Sequence, residues 1–300
     1  MILFKRAGDL SGWLQGQRSQ GKSIGFVPTM GALHAGHISL IDISKKSMGL
    51  TVCSIFVNPT QFNDPKDFQK YPITIEKDIY LLEKAGTDVL FLPEVGDLYP
   101  GGTANLEKYE LGRLENLLEG KYRPGHFQGV CQVMRRLLDI VAPDDLFMGQ
   151  KDYQQCMVVR RLLELMKSAT RLHPCPIVRE KDGLAMSSRN MRLTEMERAK
   201  APAIYQALSL VKREWGDRGV LEAILSRART ILEEEGFRID YVEIADAATL
   251  EPIGADETAD GSQPKTGDGS QSGSGSRRKA VTLVAAFLGE IRLIDNLLLP

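Results

Sequence analysis

The sequence predicts an α/β protein in which a Rossmann-like, doubly wound parallel sheet is followed by a smaller α+β domain. Three observations carry that prediction. Through the first 177 residues, apolar runs of strand length alternate with longer segments of helical period, the pattern of βαβ units. Beyond residue 177 the alternation gives way to two amphipathic helices and two strand-like runs. The chain has 300 residues, enough for about two domains at ~150 residues each.

Taken in order, SIGFVPT reads as a strand, ISLIDISKKSM as a helix, LTVCSIFVN as a strand, TIEKDIYLLEKAG as a helix and TDVLFLP as a strand. The pattern resumes after Gly125 with the helix VCQVMRRLLDIVAP, the short strand DLFMG, the helix YQQCMVVRRLLELM and a strand around CPIVRE. Residues 1–177 are therefore expected to form the first domain and 178–300 the second. MERAKAPAIYQALSLVKREW and LEAILSRARTILEEEG supply the second domain's helices, and RIDYVEIAD and AVTLVAAFLG its strands. Between those strands, the stretch from Gly254 to Lys279 is poor in apolar residues and dense in Gly, Ser and Asp. Such a segment cannot bury enough surface to order itself, and a low-complexity, flexible insertion is expected at about 255–278.

Composition excludes several classes. With 38 basic and 39 acidic side chains the formal net charge is −1, so nothing is built to hold nucleic acid by charge alone. The first residues lack an apolar core of signal-peptide length, and no run approaches the ~20 apolar residues of a membrane span. A cytoplasmic location without membrane contact is expected. Cys53, Cys131, Cys156 and Cys175 show no C-x-x-C spacing, which suggests buried free thiols rather than disulfides or a zinc site.

Two short motifs compete for attention. Gly16–Ser23, GQRSQGKS, satisfies G-x-x-x-x-G-K-[ST], but a phosphate loop must follow a strand and open a helix. Here it follows the helical LSGWLQGQ and precedes the strand SIGFVPT, the reverse order. Pro28–His37, PTMGALHAGH, has the context that GQRSQGKS lacks. It begins at the C-terminal end of a predicted strand and runs into a helix, the edge at which open α/β sheets bind ligands. Gly31 and Gly36 leave room for a nucleotide to approach the backbone. His34 and His37 lie on one face of the first helical turn, where free amides favour anions, and His37 is expected on an exposed turn with little packing role. A zinc site needs a third ligand that no nearby cluster supplies, whereas a structural pair of histidines stays open from this segment alone. MSSRN (186–190) and GQKDYQQ (149–155) add hydroxyls, a guanidinium and Lys151 suited to phosphate oxygens, although GQKDYQQ taken alone reads first as a solvated Lys-Asp pair.

Together the ordered segments HAGH, FVNPTQF, KYRPGHFQGV, GQKDYQQ, MSSRN and LGEIRLIDN resemble the pantothenate synthetases (pantoate–beta-alanine ligases), a family of the HIGH-motif nucleotidyltransferase superfamily. The resemblance spans almost the whole chain. It implies a Rossmann-like N-terminal domain, a smaller C-terminal lid domain and a homodimer. It also implies condensation of (R)-pantoate with beta-alanine through a pantoyl adenylate, driven by cleavage of ATP to AMP and diphosphate with Mg2+. ATP-binding positions then fall on Met30, Gly31, Ala32, Leu33, His34, Ala35, Gly36 and His37. Further ones fall on Gly149, Gln150, Lys151, Asp152 and Val178, and on Met186, Ser187, Ser188 and Arg189.

His34, His37, Lys151, Ser187, Ser188 and Arg189 are the catalytic candidates, as donors to the phosphates. Gln61 and Gln155 correspond to pantoate ligands, with Asn58, Arg123 and His126 near the same pocket, and Asp78 is the candidate for approaching the metal. The chain departs from the family where Ala35 and Gln150 replace glutamates and Ile73 replaces an arginine. Two rivals are another HIGH-superfamily adenylyltransferase and a non-catalytic nucleotide-binding protein. Near-neutral charge argues against a tRNA substrate, and retention of both histidines, Lys151 and the paired serines argues against lost chemistry.

Overall fold

The structure, a computed structural model, describes residues 1–63, 65–215, 221–253 and 279–300; the insertion expected at 255–278 lies outside the described residues. The chain folds as two compact units, Met1–Arg179 with Met186–Met191, and Glu180–Ala185 with Arg192–Pro300. The MSSRN segment thus belongs to the first unit although it follows part of the second in sequence.

In the first unit the strands are β1 (Ile2–Phe4), β2 (Ile24–Thr29), β3 (Leu50–Ile55), β4 (Val89–Phe91), β5 (Asp145–Gly149) and β6 (Arg171–Cys175). They form one parallel sheet in the order β1-β4-β3-β2-β5-β6. Its helices are α1 (Ala7–Ser19), α2 (Ala35–Ser47), α3 (Pro65–Gln69), α4 (Ile75–Lys84), α5 (Val95–Leu98), α6 (Glu119–Tyr122), α7 (His126–Val141) and α8 (Tyr153–Leu165). The two-residue strand period decides which helices cover which face. Ile24, Phe26, Val52, Val89, Phe91, Leu146 and Met148 pack with Leu10, Leu14 and the apolar stripes of α7 and α8. The intervening Val27, Cys53, Leu90 and Phe147 pack with Leu40 and Ile41 of α2 and Leu82 of α4. From β2 the chain winds outward to β3, and later it returns to lay β5 on the other side of β2. That reversal puts the switch point of the doubly wound sheet at the C-terminal ends of β2 and β5.

Several expectations change. β6 occupies Arg171–Cys175 rather than the CPIVRE segment, because the edge strand pairs from Asp145 onward with Arg171 and is mostly exposed, so it shows no apolar run. β1 is an addition to the expected strands; only three residues long and partly exposed, it lacks a readable period. The false phosphate loop spans the end of α1 and the turn before β2, and its Lys22 Nζ donates to Gln17 Oε1 at 2.8 Å.

The second unit holds α9 (Glu195–Lys200), α10 (Ala203–Glu214) and α11 (Leu221–Glu234) against an antiparallel sheet of β7 (Arg238–Asp246), β8 (Ala280–Leu288) and β9 (Ile291–Leu299). The expected single helix 196–215 is divided at Pro202, which has no N–H to continue the ladder and whose ring opposes the preceding turn. β9, which begins in the LGEIRLIDN segment and runs on to Leu299, adds a strand the sequence reading did not assign. Its partner β8 is almost wholly buried, and the small and branched residues of β8 pack with Ile204, Leu208 and Leu232 from the helices. Among the described residues no helix is long and apolar enough to cross a membrane.

Candidate active site

The site begins with the turn after β2. Gly31 and Ala32 both have positive φ, 81° and 48°, a costly conformation for the alanine, so something must hold the turn. Asp78 does so from the first turn of α4. Its Oδ2 accepts the Ala32 N–H at 2.9 Å and its Oδ1 the Leu33 N–H at 2.8 Å, with the Thr74 hydroxyl adding a third bond at 3.0 Å. Thr29 Oγ1 takes the Gly31 N–H at 3.2 Å, and Ser188 Oγ donates to the Ala32 carbonyl at 2.9 Å. Three successive amides that could have formed an anion nest are therefore already used by the protein, two of them by a carboxylate.

The structure gives Asp78 a further part beside the one expected of it. It is fully buried, does not line the pocket, and accepts a backbone amide on each oxygen, so it clamps the loop. Gly31, Ala32, Leu33, Ala35 and Gln150 also lie off the pocket wall. Among the described residues no cluster of three or more His, Cys, Asp or Glu could hold a metal.

The two histidines form a reciprocal cap on α2. His34 Nδ1 accepts the Gly36 N–H at 3.1 Å, and His37 Nδ1 accepts the His34 N–H at 3.3 Å. A nitrogen that accepts carries no proton, so in both rings the proton sits on Nε2, and both side chains line the pocket. Burial, reinforced by Lys151, lowers the His34 pKa to about 4; burial, with His34 and Lys151, lowers that of His37 to about 3. The rings are neutral donors of one N–H each. His37 is half-buried and caps the helix, which corrects the expectation of an exposed turn with little packing role.

Around them gather groups from distant elements. Lys151 and Asp152 stand after β5, and Gln155 lies in the first turn of α8. Val178 and Met186 are joined by a Met186 N–H to Val178 carbonyl bond of 3.0 Å, and both line the pocket. Ser187 and Arg189 line it too; the Arg189 guanidinium pairs with Asp67 at 2.7 Å and lies 6.0 Å over the Tyr71 ring. Ser188 is also on the wall, but its hydroxyl proton goes to the Ala32 carbonyl, so its first task is to hold the histidine turn.

On the far side Asn58, Gln61, Arg123 and His126 come together. Asn58 is buried, and its amide and carbonyl are used by Gln61, Gly129 and Tyr99. His126 Nε2 faces the Arg123 guanidinium, which has only protons to give, so Nδ1 bears the hydrogen and donates to the Gln61 carbonyl at 2.8 Å. Burial, with Arg123, lowers the His126 pKa to about 3. The sequence reading missed Tyr71 and an apolar wall of Val130, Val133, Met134 and Leu137. The i, i+3, i+4, i+7 spacing of that wall was visible, but a core stripe has the same period, and only the fold tells which part faces the pocket.

A doubly wound sheet whose switch point carries neutral imidazole donors, a lysine and an arginine on one side and paired amides against an apolar wall on the other defines a nucleotide-dependent enzyme acting on a small, partly apolar polar substrate. The family model described as pantoate-beta-alanine ligase matches residues 2–298, and this chain belongs to that family. The pantothenate synthetase of Pseudomonas fluorescens (strain Pf0-1) is 44% identical over 282 residues, covering 93% of this chain and 91% of that protein. Among solved structures, the pantothenate synthetase of Thermus thermophilus is 38% identical with a TM-score of 0.86, covering 99% of each chain. The pantoate-beta-alanine ligase of Francisella tularensis, solved in complex with beta-gamma ATP and beta-alanine, is 34% identical with a TM-score of 0.77, covering 99% of this chain and 97% of that one.

Proposed function

We propose that the chain condenses (R)-pantoate with beta-alanine, cleaving ATP to AMP and diphosphate through a pantoyl adenylate. The observation that carries the reading is the reciprocal histidine cap: it leaves two fixed Nε2–H donors in one pocket with Lys151. A carboxylate is a poor electrophile, and adenylation converts it into one with a good leaving group. A carboxylate oxygen of pantoate attacks the α-phosphorus, the bond to the departing diphosphate breaks, and the beta-alanine amine then attacks the acyl carbonyl, losing a proton as AMP leaves. No step requires a covalent protein nucleophile, so positioning and charge stabilisation suffice.

His34, His37, Lys151, Ser187 and Arg189 would serve the phosphates, with Arg189 exchanging Asp67 for a phosphate oxygen. Neutral imidazoles suit this task, since they donate without titrating at working pH. Gln61 and Gln155 would bind pantoate's hydroxyls and carboxylate as neutral partners that leave the nucleophile charged. The apolar stripe of α7 would take its dimethyl carbon. Magnesium ordinarily arrives on the triphosphate and needs only one or two protein carboxylates; Asp152 on the pocket wall fits that need, and the ion would neutralise the leaving diphosphate. A cytoplasmic homodimer belongs to the same reading, supported by the family resemblance and tested by sedimentation of the purified chain. The decisive experiment is exchange of labelled diphosphate into ATP with pantoate present and beta-alanine omitted. Exchange is expected, and strict dependence on beta-alanine would overturn the free-standing adenylate.

A further inference from the structure

Gly129 sits within α7 with an ordinary helical backbone, where alanine would be the better helix former. Its lack of a side chain therefore answers to something outside the helix. A Cβ built there would lie 2.2 Å from the Thr60 carbonyl oxygen, 2.5 Å from its carbon and 2.6 Å from Gln61 Cα. Ordinary carbon–oxygen contacts begin near ~3.3 Å, so the short 3-10 turn Pro59–Gln61 lies roughly 1 Å closer to α7 than any larger residue would permit. All the threatened atoms are backbone, and no side-chain rotation relieves the overlap.

Four hydrogen bonds hold the turn in that close position. Asn58 Nδ2 donates to the Gly129 carbonyl at 3.1 Å and to Gln61 Oε1 at 3.3 Å, while the Tyr99 hydroxyl holds Asn58 Oδ1 at 3.0 Å. The Nδ1–H of His126, one turn earlier on α7, donates to the Gln61 carbonyl at 2.8 Å. With its carbonyl and Oε1 both occupied, Gln61 directs its remaining amide group, Nε2, towards Met30 and the pocket. α7 thus fixes the Gln61 carbonyl directly, through His126, and its Oε1 indirectly, through the Asn58 amide that the Gly129 carbonyl accepts.

We propose that Gly129 is a positioning residue for the hydroxy-acid substrate, acting through Gln61: it sets the depth at which the Gln61 amide stands in the pocket. The inference rests on the proposed ligation of pantoate and names the residue that tunes its affinity. A displacement of ~1 Å in a positioning group is enough to cost ~10²-fold, and here it falls on the pantoate side while the His34–His37 cap and Lys151 are left in place.

The test measures steady-state KM for pantoate and for ATP, and thermal unfolding, in the parent chain, Gly129→Ala, Gln61→Ala and the double variant. Gly129→Ala is expected to raise KM for pantoate about ten- to hundredfold and leave KM for ATP within about twofold. In the Gln61→Ala background the same change is expected to add less than about threefold, because its target is already gone. An unchanged KM for pantoate, equal losses for both substrates, or full additivity with Gln61→Ala overturns the proposal. If Gly129→Ala does not fold, His126→Ala releases the Gln61 carbonyl without overpacking, and the same cycle with Gln61→Ala decides by the same criteria. A parent chain with no pantoate-dependent turnover would instead refute the ligase reading itself.

Discussion

Replacing His37 by alanine separates a catalytic role from a structural one. The ring does two things in the structure. Its Nδ1 accepts the His34 N–H at 3.3 Å, a long bond in the helix cap, and its Nε2–H is left as a donor on the pocket wall. Loss of a cap interaction costs about 0.5–2 kcal/mol, and at this length the lower half of that range applies. For a unit of this size ~1 kcal/mol corresponds to a fall in Tm of about 2–4 °C. Loss of one aligned donor to charge that develops in the transition state costs ~10²–10³ in rate. His37→Ala should therefore remain folded within a few degrees of the parent while labelled diphosphate exchange falls ~10²–10³-fold at saturating ATP and pantoate. His37→Gln, which can still present an N–H, should recover part of the rate. Exchange within threefold of the parent would remove His37 from the chemistry. A drop in Tm beyond about 10 °C that accounts for the lost activity would make the ring structural.

The remaining expectations follow from the same geometry. Because burial lowers the folded pKa of His34 to about 4 and of His37 and His126 to about 3, the unfolded chain binds protons near pH 6.5 that the folded chain refuses. Their contribution to stability is complete above about pH 6.5 and declines as pH falls from there towards about 4 for His34 and about 3 for His37 and His126. The imidazole Cε1–H resonances of these three should keep neutral-form shifts down to about pH 5, and a midpoint near 6.5 at any of them refutes the assignment. Asp78→Ala strands the buried Ala32 and Leu33 amides, a loss of ~1–3 kcal/mol each, measured by urea unfolding, and Mg2+ dependence should be unchanged in Asp78→Asn; a raised Mg2+ requirement would support Asp78 as a metal ligand. Gln61→Ala and Gln155→Ala should weaken pantoate by ~1–3 kcal/mol with little change for ATP, and equal loss of both would move the amides out of the substrate side. Lys22→Ala should leave KM for ATP unaltered, since Lys22 stands away from the pocket beside Gln17; a large rise would revive the phosphate-loop reading.

Features of short range were legible in the chain alone. Period and composition identified β2, β3, β4 and β5 with the helices α2, α4, α7 and α8, and the reversed order of helix and strand disposed of GQRSQGKS. Even the tautomers of His34 and His37 are a local matter, since the atoms that set them lie within three residues on one helix turn. Where each polar atom is spent was settled only by the packed fold. Asp78 reads in the sequence as an acid on a helix beside a phosphate site; it becomes a clamp because the crossover from β3 brings α4 back against a turn 46 residues earlier. Ser188 reads as a phosphate donor, yet its hydroxyl reaches the Ala32 carbonyl across 156 positions. Asn58 and Gly129, 71 apart, meet because the 3-10 turn and α7 pack directly against each other. Hydrogen-bonding groups are satisfied by whatever the fold brings within about 3 Å, and that proximity is a property of the sheet order β1-β4-β3-β2-β5-β6, which no periodicity along the chain encodes.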